Sequence, residues 1–174
     1  MTFPGALPPP NRDFMPLTIL DLDDSLAPAF DAINRAWIEA MFVVEPHDDE
    51  VLRDPRTHIV ERGGAVLFVA GDGGAILGAG ALMPTAGRAI ELTKMGVREE
   101  ARGTGAGRVL LAALIDRAAT LAADPLYLLT NRKFAAAIHL YEQAGFAHDR
   151  AIMARFGGDY ARCDVAMSYR PTSG

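Results

Sequence analysis

Apolar residues fall along this chain in runs whose spacing separates strands from helices. Residues 17–20 (LTIL) form a short extended run. Phe30, Ile33, Asn34, Trp37, Ile38, Met41 and Phe42 then recur at intervals of three and four, which predicts an amphipathic helix. Asp23, Asp24 and Ser25 offer it an N-cap, and Pro28 is tolerated in a first turn. Trp37 and Phe42 read as core side chains, and Glu39 and Glu45 as surface charges. Residues 46–62 are polar, with a short helix over 49–53. Residues 65–70 (AVLFVA) are a continuous apolar run, read as a buried strand. Gly71-Asp72-Gly73-Gly74 supplies a hairpin turn, and residues 75–83 return as the partner strand. Glycines in that partner mark a face where another backbone comes close. Residues 88–97 complete an antiparallel meander.

The second half changes rhythm. Val109, Leu110, Leu111, Leu114, Ile115, Ala118 and Leu121 predict a long helix. Asp124-Pro125 breaks the chain, and residues 126–130 (LYLLT) form a strand. Because it follows a strand–helix connection, it lies parallel to residues 88–97 by a right-handed crossover. A helix over 134–144 ends at Gly145. Residues 151–156 and 163–169 read as a final antiparallel pair joined by Gly157-Gly158-Asp159. The predicted fold is α/β: one mixed, mainly antiparallel twisted sheet with helices on both faces.

Composition narrows the function classes. A chain of 174 residues, 50% hydrophobic, fits one globular domain, assigned to 16–171. Residues 1–15, with Pro8-Pro9-Pro10, read as a flexible proline-rich tail, and both Met1 and Met15 stay open as the native start. A net charge of −5 argues against nucleic acid as a main partner. The single Cys163 cannot form an intramolecular disulfide, and no signal segment or membrane-length apolar run appears, so a soluble cytoplasmic protein without a membrane partner is expected. His47 beside Asp48, Asp49 and Glu50 reads as a solvated acidic helix start, and no metal is expected.

The chemistry concentrates in Arg102-Gly103-Thr104-Gly105-Ala106-Gly107, set between a strand and a long helix. Glycines let an anion approach the backbone, while loop N–H groups and the helix dipole face it. Arg102 and Arg108 add positive charge, so a di- or polyphosphate is the natural guest. A Walker loop needs Gly-Lys-Ser/Thr at its end, but Gly107 is followed by Arg108 and Val109. A Rossmann site needs G-x-G-x-x-G and an acidic residue ending the next strand; here the glycines run G-x-G-x-G, and Asp124 precedes that strand. A third reading is a coenzyme A pyrophosphate site, and it is the one a family resemblance supports.

These residues resemble the GNAT superfamily of N-acetyltransferases. Arg102 to Gly107 matches that family's Q/R-x-x-G-x-G/A signature. Leu92-Thr93-Lys94-Met95-Gly96-Val97 looks like its bulged fourth strand, and Ala137 to Phe146 (AIHLYEQAGF) is similar to its A-x-x-L-Y-x-x-x-G-F segment. The resemblance implies a central strand pair, 88–97 and 126–130, splayed beside the glycine loop by a bulge near Lys94-Met95. The pantetheine arm of acetyl-CoA would dock on backbone groups of Met95, Gly96 and Val97. Its pyrophosphate would sit on amides of Gly103, Thr104, Gly105, Ala106, Gly107 and Arg108, beside Arg102.

The resemblance further implies direct acetyl transfer from acetyl-CoA to a primary amine of a small molecule or protein. A base must take the ammonium proton. Glu91, four residues before Met95, is the candidate, the other reading being an outward strand glutamate. Tyr141 stands at the general-acid position and would protonate the leaving sulfur; otherwise it is a core tyrosine. Members often carry an asparagine seven residues before this tyrosine, where this chain has Phe134. Asn131, three residues earlier, either reaches the cofactor or caps its turn. Lys94 reads as strand-exit charge, and Cys163 as uninvolved. The acidic balance points to a cationic acceptor, and a homodimer stays open. The alternative function is a catalytically silent acyl-CoA-binding module.

Overall fold

The computed structural model describes residues 16–171; the proline-rich segment 1–15 lies outside them. The elements in chain order are β1 (Thr18–Asp21), α1 (Ala27–Met41), α2 (Pro46–Arg53), β2 (Ala65–Ala70), β3 (Ile76–Pro84), β4 (Ile90–Val97), α3 (Ala106–Thr120), β5 (Leu126–Thr130), α4 (Ala135–Ala144), β6 (Phe146–His148), α5 (Arg150–Phe156) and β7 (Val165–Tyr169). The strands form one sheet in the order β1-β2-β3-β4-β5-β7-β6, in which only β4 and β5 pair in parallel. Among the described residues no helix is long and apolar enough to cross a membrane.

All six residues of β2 are buried, because helices cover both faces of the sheet. On one face Leu67, Val69, Leu82, Leu92 and Leu128 pack against Leu110, Leu111 and Leu114 of α3 and against α4. On the other, Val66, Phe68, Ala79 and Met83 meet Phe30, Ile33 and Ile38 of α1 and Val51 and Leu52 of α2. Leu110, Leu111 and Leu114 are fully buried; each contributes about 1.5–3 kcal/mol by leaving water.

The end of the chain departs from the pattern reading. Residues 151–156 are helical, not a strand, and the partner of β7 is β6. Asp149 is the reason. Its Oδ1 accepts from the N–H of Ala151 at 2.9 Å and of Ile152 at 3.2 Å, capping a helix start. Ile152 and Phe156, four apart, then bury together, and Phe156 stacks on Tyr127 with centroids 4.3 Å apart. Strand β7 begins at Val165, so Cys163 lies in the loop before it.

Two features of β4 shape the middle of the sheet. Ala79 pairs with Gly96 and Ala81 with Thr93, so Lys94 and Met95 together face Gly80 in a bulge. Lys94 takes a φ of 50° there, strained for a side chain with a Cβ. Parallel pairing with β5 is confined to Ile90–Leu126 and Glu91–Tyr127. Beyond that point the two strands part.

Candidate active site

A cleft of about 720 Å3 opens where β4 and β5 separate. Leu92, Thr93, Met95, Gly96 and Val97 form one wall, and Leu128, Leu129 and Thr130 the other. Arg102, Gly103, Gly105, Ala106 and Gly107 close one end, and Leu140 and Tyr141 of α4 flank it. Toward β3, Gly96 and Val97 pair with Ala79 and Gly78; toward β5 this stretch of β4 has no strand partner among the described residues, which leaves backbone groups free for an extended ligand.

The glycine loop turns through φ of 79° at Gly103 and 87° at Gly105, the N-cap of α3. A Cβ at either would meet nothing within 4 Å, so the backbone there is bare. Thr104 turns its hydroxyl inward to the Ala101 carbonyl at 2.5 Å. The N–H groups of Gly103, Gly105, Gly107 and Arg108 have no acceptor among the described residues. Four unmet donors at the positive end of a 15-residue helix make an anion cradle. Arg102 lines the cleft. Arg108 points aside, its Nη2 donating to Gln143 Oε1 at 3.0 Å.

Tyr141 is buried, its hydroxyl without a protein partner among the described residues, and burial pushes its pKa up to about 12. A proton is therefore held on that oxygen throughout the neutral range. Glu91 does not line the cleft. It sits on the α1/α2/α5 face of β4, 2% exposed. Burial raises its pKa to about 7, against the opposing charge of Lys94 and the lowering influence of the neighbouring Thr93 and Tyr160 hydroxyls. Thr93 is the link outward, because it lines the cleft as well.

Beyond Thr93 a cavity of about 30 Å3 is bounded by Trp37, Thr93, Lys94, Asn131, Phe134, Tyr160, Arg162 and Cys163. That is room for about one water. A groove of about 460 Å3 follows, bounded by Phe42, Val43, Glu45, Asn131, Ala161, Arg162 and Asp164. Shared walls place cleft, cavity and groove in a row: Trp37, Thr93 and Phe134 border the first two, and Asn131 and Arg162 the last two.

Several side chains lie elsewhere than the pattern suggests. Trp37 and Phe42 are only half-buried, each with one side on the core and the other on an opening. Asn131 is at the cavity, outside the cleft wall. Its Oδ1 accepts from the N–H of Lys133 at 2.9 Å, and its Nδ2 donates to the Arg162 carbonyl at 2.7 Å. Lys94 does not reach solvent. Its Nζ lies 2.8 Å from Asp48 Oδ1, both side chains nearly sealed. Asp48 is thus no solvated helix start. Burial would raise its pKa, but the hydrogen bonds of Arg162 and the charge of Lys94 hold it well below the usual carboxylate range. Glu45, too, is tied down, 3.0 Å from Arg162 Nη1. Cys163 faces the cavity, and burial pushes its thiol up to about 12, away from the nucleophilic thiolate. Asp48, Lys94 and Arg162 meet only through tertiary folding, and no local spacing announces them.

A family model described as acetyltransferase (GNAT) family matches residues 28–146. No curated protein matches the chain in sequence. The structure is similar to an acetyltransferase of the GNAT family from Staphylococcus aureus Mu50, with TM-score 0.79 and 18% identity over 88% of this chain and 98% of that one. It is also similar to an acetyltransferase from Streptococcus agalactiae 2603, with TM-score 0.72 and 16% identity over 90% and 98% of the two chains. A third likeness is to the PaiA N-acetyltransferase from Thermoplasma acidophilum in complex with coenzyme A, with TM-score 0.66 and 15% identity over 90% and 100%. At such identities these are likenesses of fold.

Proposed function

Because this chain belongs to the acetyltransferase (GNAT) family, we propose that it moves an acetyl group from acetyl-CoA directly to a primary amine. The observation that carries this reading is the parting of β4 and β5 after Glu91–Tyr127, beside a glycine loop with unmet N–H donors. The residues present fit the donor. Free backbone along Met95, Gly96 and Val97 suits the amide-bearing pantetheine arm, and the bare turn at Gly103 and Gly105 suits the pyrophosphate, with Arg102 alongside. The Thermoplasma relative's coenzyme A complex supports the same assignment.

Acetyl-CoA supplies a thioester-activated acetyl group, and the protein's part is to place the amine and move two protons. Tyr141 borders the cleft with its proton retained, so it can donate to the departing sulfur. Glu91 takes the amine's proton indirectly. Thr93 borders both cleft and cavity and stands two residues from Glu91 along β4, so its hydroxyl is the relay assigned between the amine and the carboxylate. A pKa of about 7 makes Glu91 a base matched to neutral solution.

The experiment is a thermal melt with acetyl-CoA, coenzyme A and NAD in parallel, followed by release of coenzyme A against an amine panel. Acetyl-CoA at a hundred times its Kd adds about 2.7 kcal/mol, or roughly 5–10 °C for a domain of this size. A shift with acetyl-CoA, none with NAD, and amine-dependent release of coenzyme A is the expected result. A shift with no release from any amine would return the protein to an acyl-CoA-binding module. No shift in a cooperative melt would remove the assignment.

A further inference from the structure

Arg162 is the charged side chain shared by the small cavity and the outer groove, and it is absent from the cleft wall. Its side chain is 9% exposed. Asp48 takes the guanidinium end-on, with Nη1 donating to Oδ2 at 2.7 Å and Nη2 to Oδ1 at 2.9 Å. Glu45 Oε2 accepts the second Nη1–H at 3.0 Å. A guanidinium has five N–H donors in a fixed plane, so these bonds leave Nε–H and the Nη2–H beside it. The two lie along one edge, parallel to each other, with no acceptor among the described residues. Rings of Tyr160 and Trp37, at 4.9 and 5.9 Å from Cζ, hold the plane in place.

A fixed, nearly sealed cation with a free two-donor edge is the complement of a carboxylate. Close at hand, Lys94 and Arg162 are balanced by Asp48 and Glu45; Asp164 on the groove wall lies 3.4 Å from Arg132 Nε, and Glu91 adds a negative charge beside Lys94 once it is deprotonated. We infer that the acceptor is an amine bearing a carboxylate, an amino acid, whose carboxylate is held side-on by Arg162 while its amine reaches past Thr93 into the cleft. This rests on the proposed transfer reaction and narrows it. It also replaces the cationic acceptor that overall charge suggests.

The test uses the proteinogenic α-amino acids and their decarboxylated monoamines as matched pairs, with wild type and Arg162→Lys. Lysine at 162 keeps a cation for Asp48 and removes the fork. Two readouts run together: release of coenzyme A, and calorimetric binding to the protein loaded with coenzyme A. At least one amino acid should show a KM or Kd at least tenfold below that of its amine, and in Arg162→Lys that ratio should fall toward one. Turnover of amines with no advantage for any acid overturns the inference and leaves acetyl transfer standing. Carboxylate-dependent binding without release of coenzyme A sustains the Arg162 site and sinks the transfer. Should Arg162→Lys not fold, the wild-type pairs alone decide, since equal affinity for acid and amine refutes the assignment.

Discussion

Burial does opposite things to the two proton-carrying side chains. It locks the Tyr141 proton in place and brings Glu91 to the edge of ionisation. Tyr141→Phe is expected to lower turnover at least tenfold while the KM for acetyl-CoA stays within twofold, read from steady-state kinetics. For wild type, kcat/KM should rise with pH through about 7 as Glu91 loses its proton, and Glu91→Gln should abolish that inflection. Stability gives an independent check. The folded pKa of Glu91 lies above its ordinary 4.5, so its contribution is present below that value and is lost as pH rises through about 7. Glu91→Gln should therefore raise Tm relative to wild type at pH 8.5 and change it little at pH 4.5. Asp48 runs the other way, its stabilisation present above the ordinary carboxylate pKa and lost only in strong acid. Asp48→Ala strands Lys94 and Arg162 in the interior, which costs about 3–5 kcal/mol. A drop in Tm on the order of 10 °C should follow. None of this cluster is legible in sequence. Asp48 and Arg162 are 114 positions apart, and the acidic run around Asp48 looks like surface.

At the scale of elements, the stretch from β4 through the glycine loop to α3 was legible because each part carries a local rule: alternation, permissive glycines, then a 3.6-residue period. The bulge at Lys94-Met95 came only from family likeness, since nothing in the composition of LTKMGV marks two residues facing one. Helix α5 was misread although its signals are local. Asp149 is a good cap, and Ile152 and Phe156 sit at helical spacing, but the short apolar segment fits a strand equally well. Trp37 shows why walls are hard to tell from core. A single helical stripe continues from Phe30 and Ile33 into the cleft, where the sheet happens to open. Gly96 fixes how close that helix comes: a Cβ there would stand 2.6 Å from Trp37 Cδ1. Gly96→Ala should displace Trp37 and destabilise by about 1–3 kcal/mol. A weakened acetyl-CoA thermal shift and altered tryptophan emission would report it.

At the scale of the molecule, the order of secondary structure as far as α4 and the mixed sheet were readable from pattern alone, whereas the last helix and the alignment of three openings in a row were not. That alignment depends on where α1, α4 and the loop before β7 converge, and under the proposed reaction it would give donor and acceptor separate approaches. The interrupted β4–β5 seam carries a further consequence. Two sub-sheets, β1 to β4 and β5 to β6, share only two backbone pairs. If a pantetheine arm supplies the missing rungs, the donor is also a structural strut. Amide hydrogens facing the gap should then exchange fast in the free protein and slowly once acetyl-CoA is bound. Protection would spread to both flanking strands at once, and the acceptor would meet a finished wall only after the donor has arrived, which predicts ordered binding with the nucleotide first.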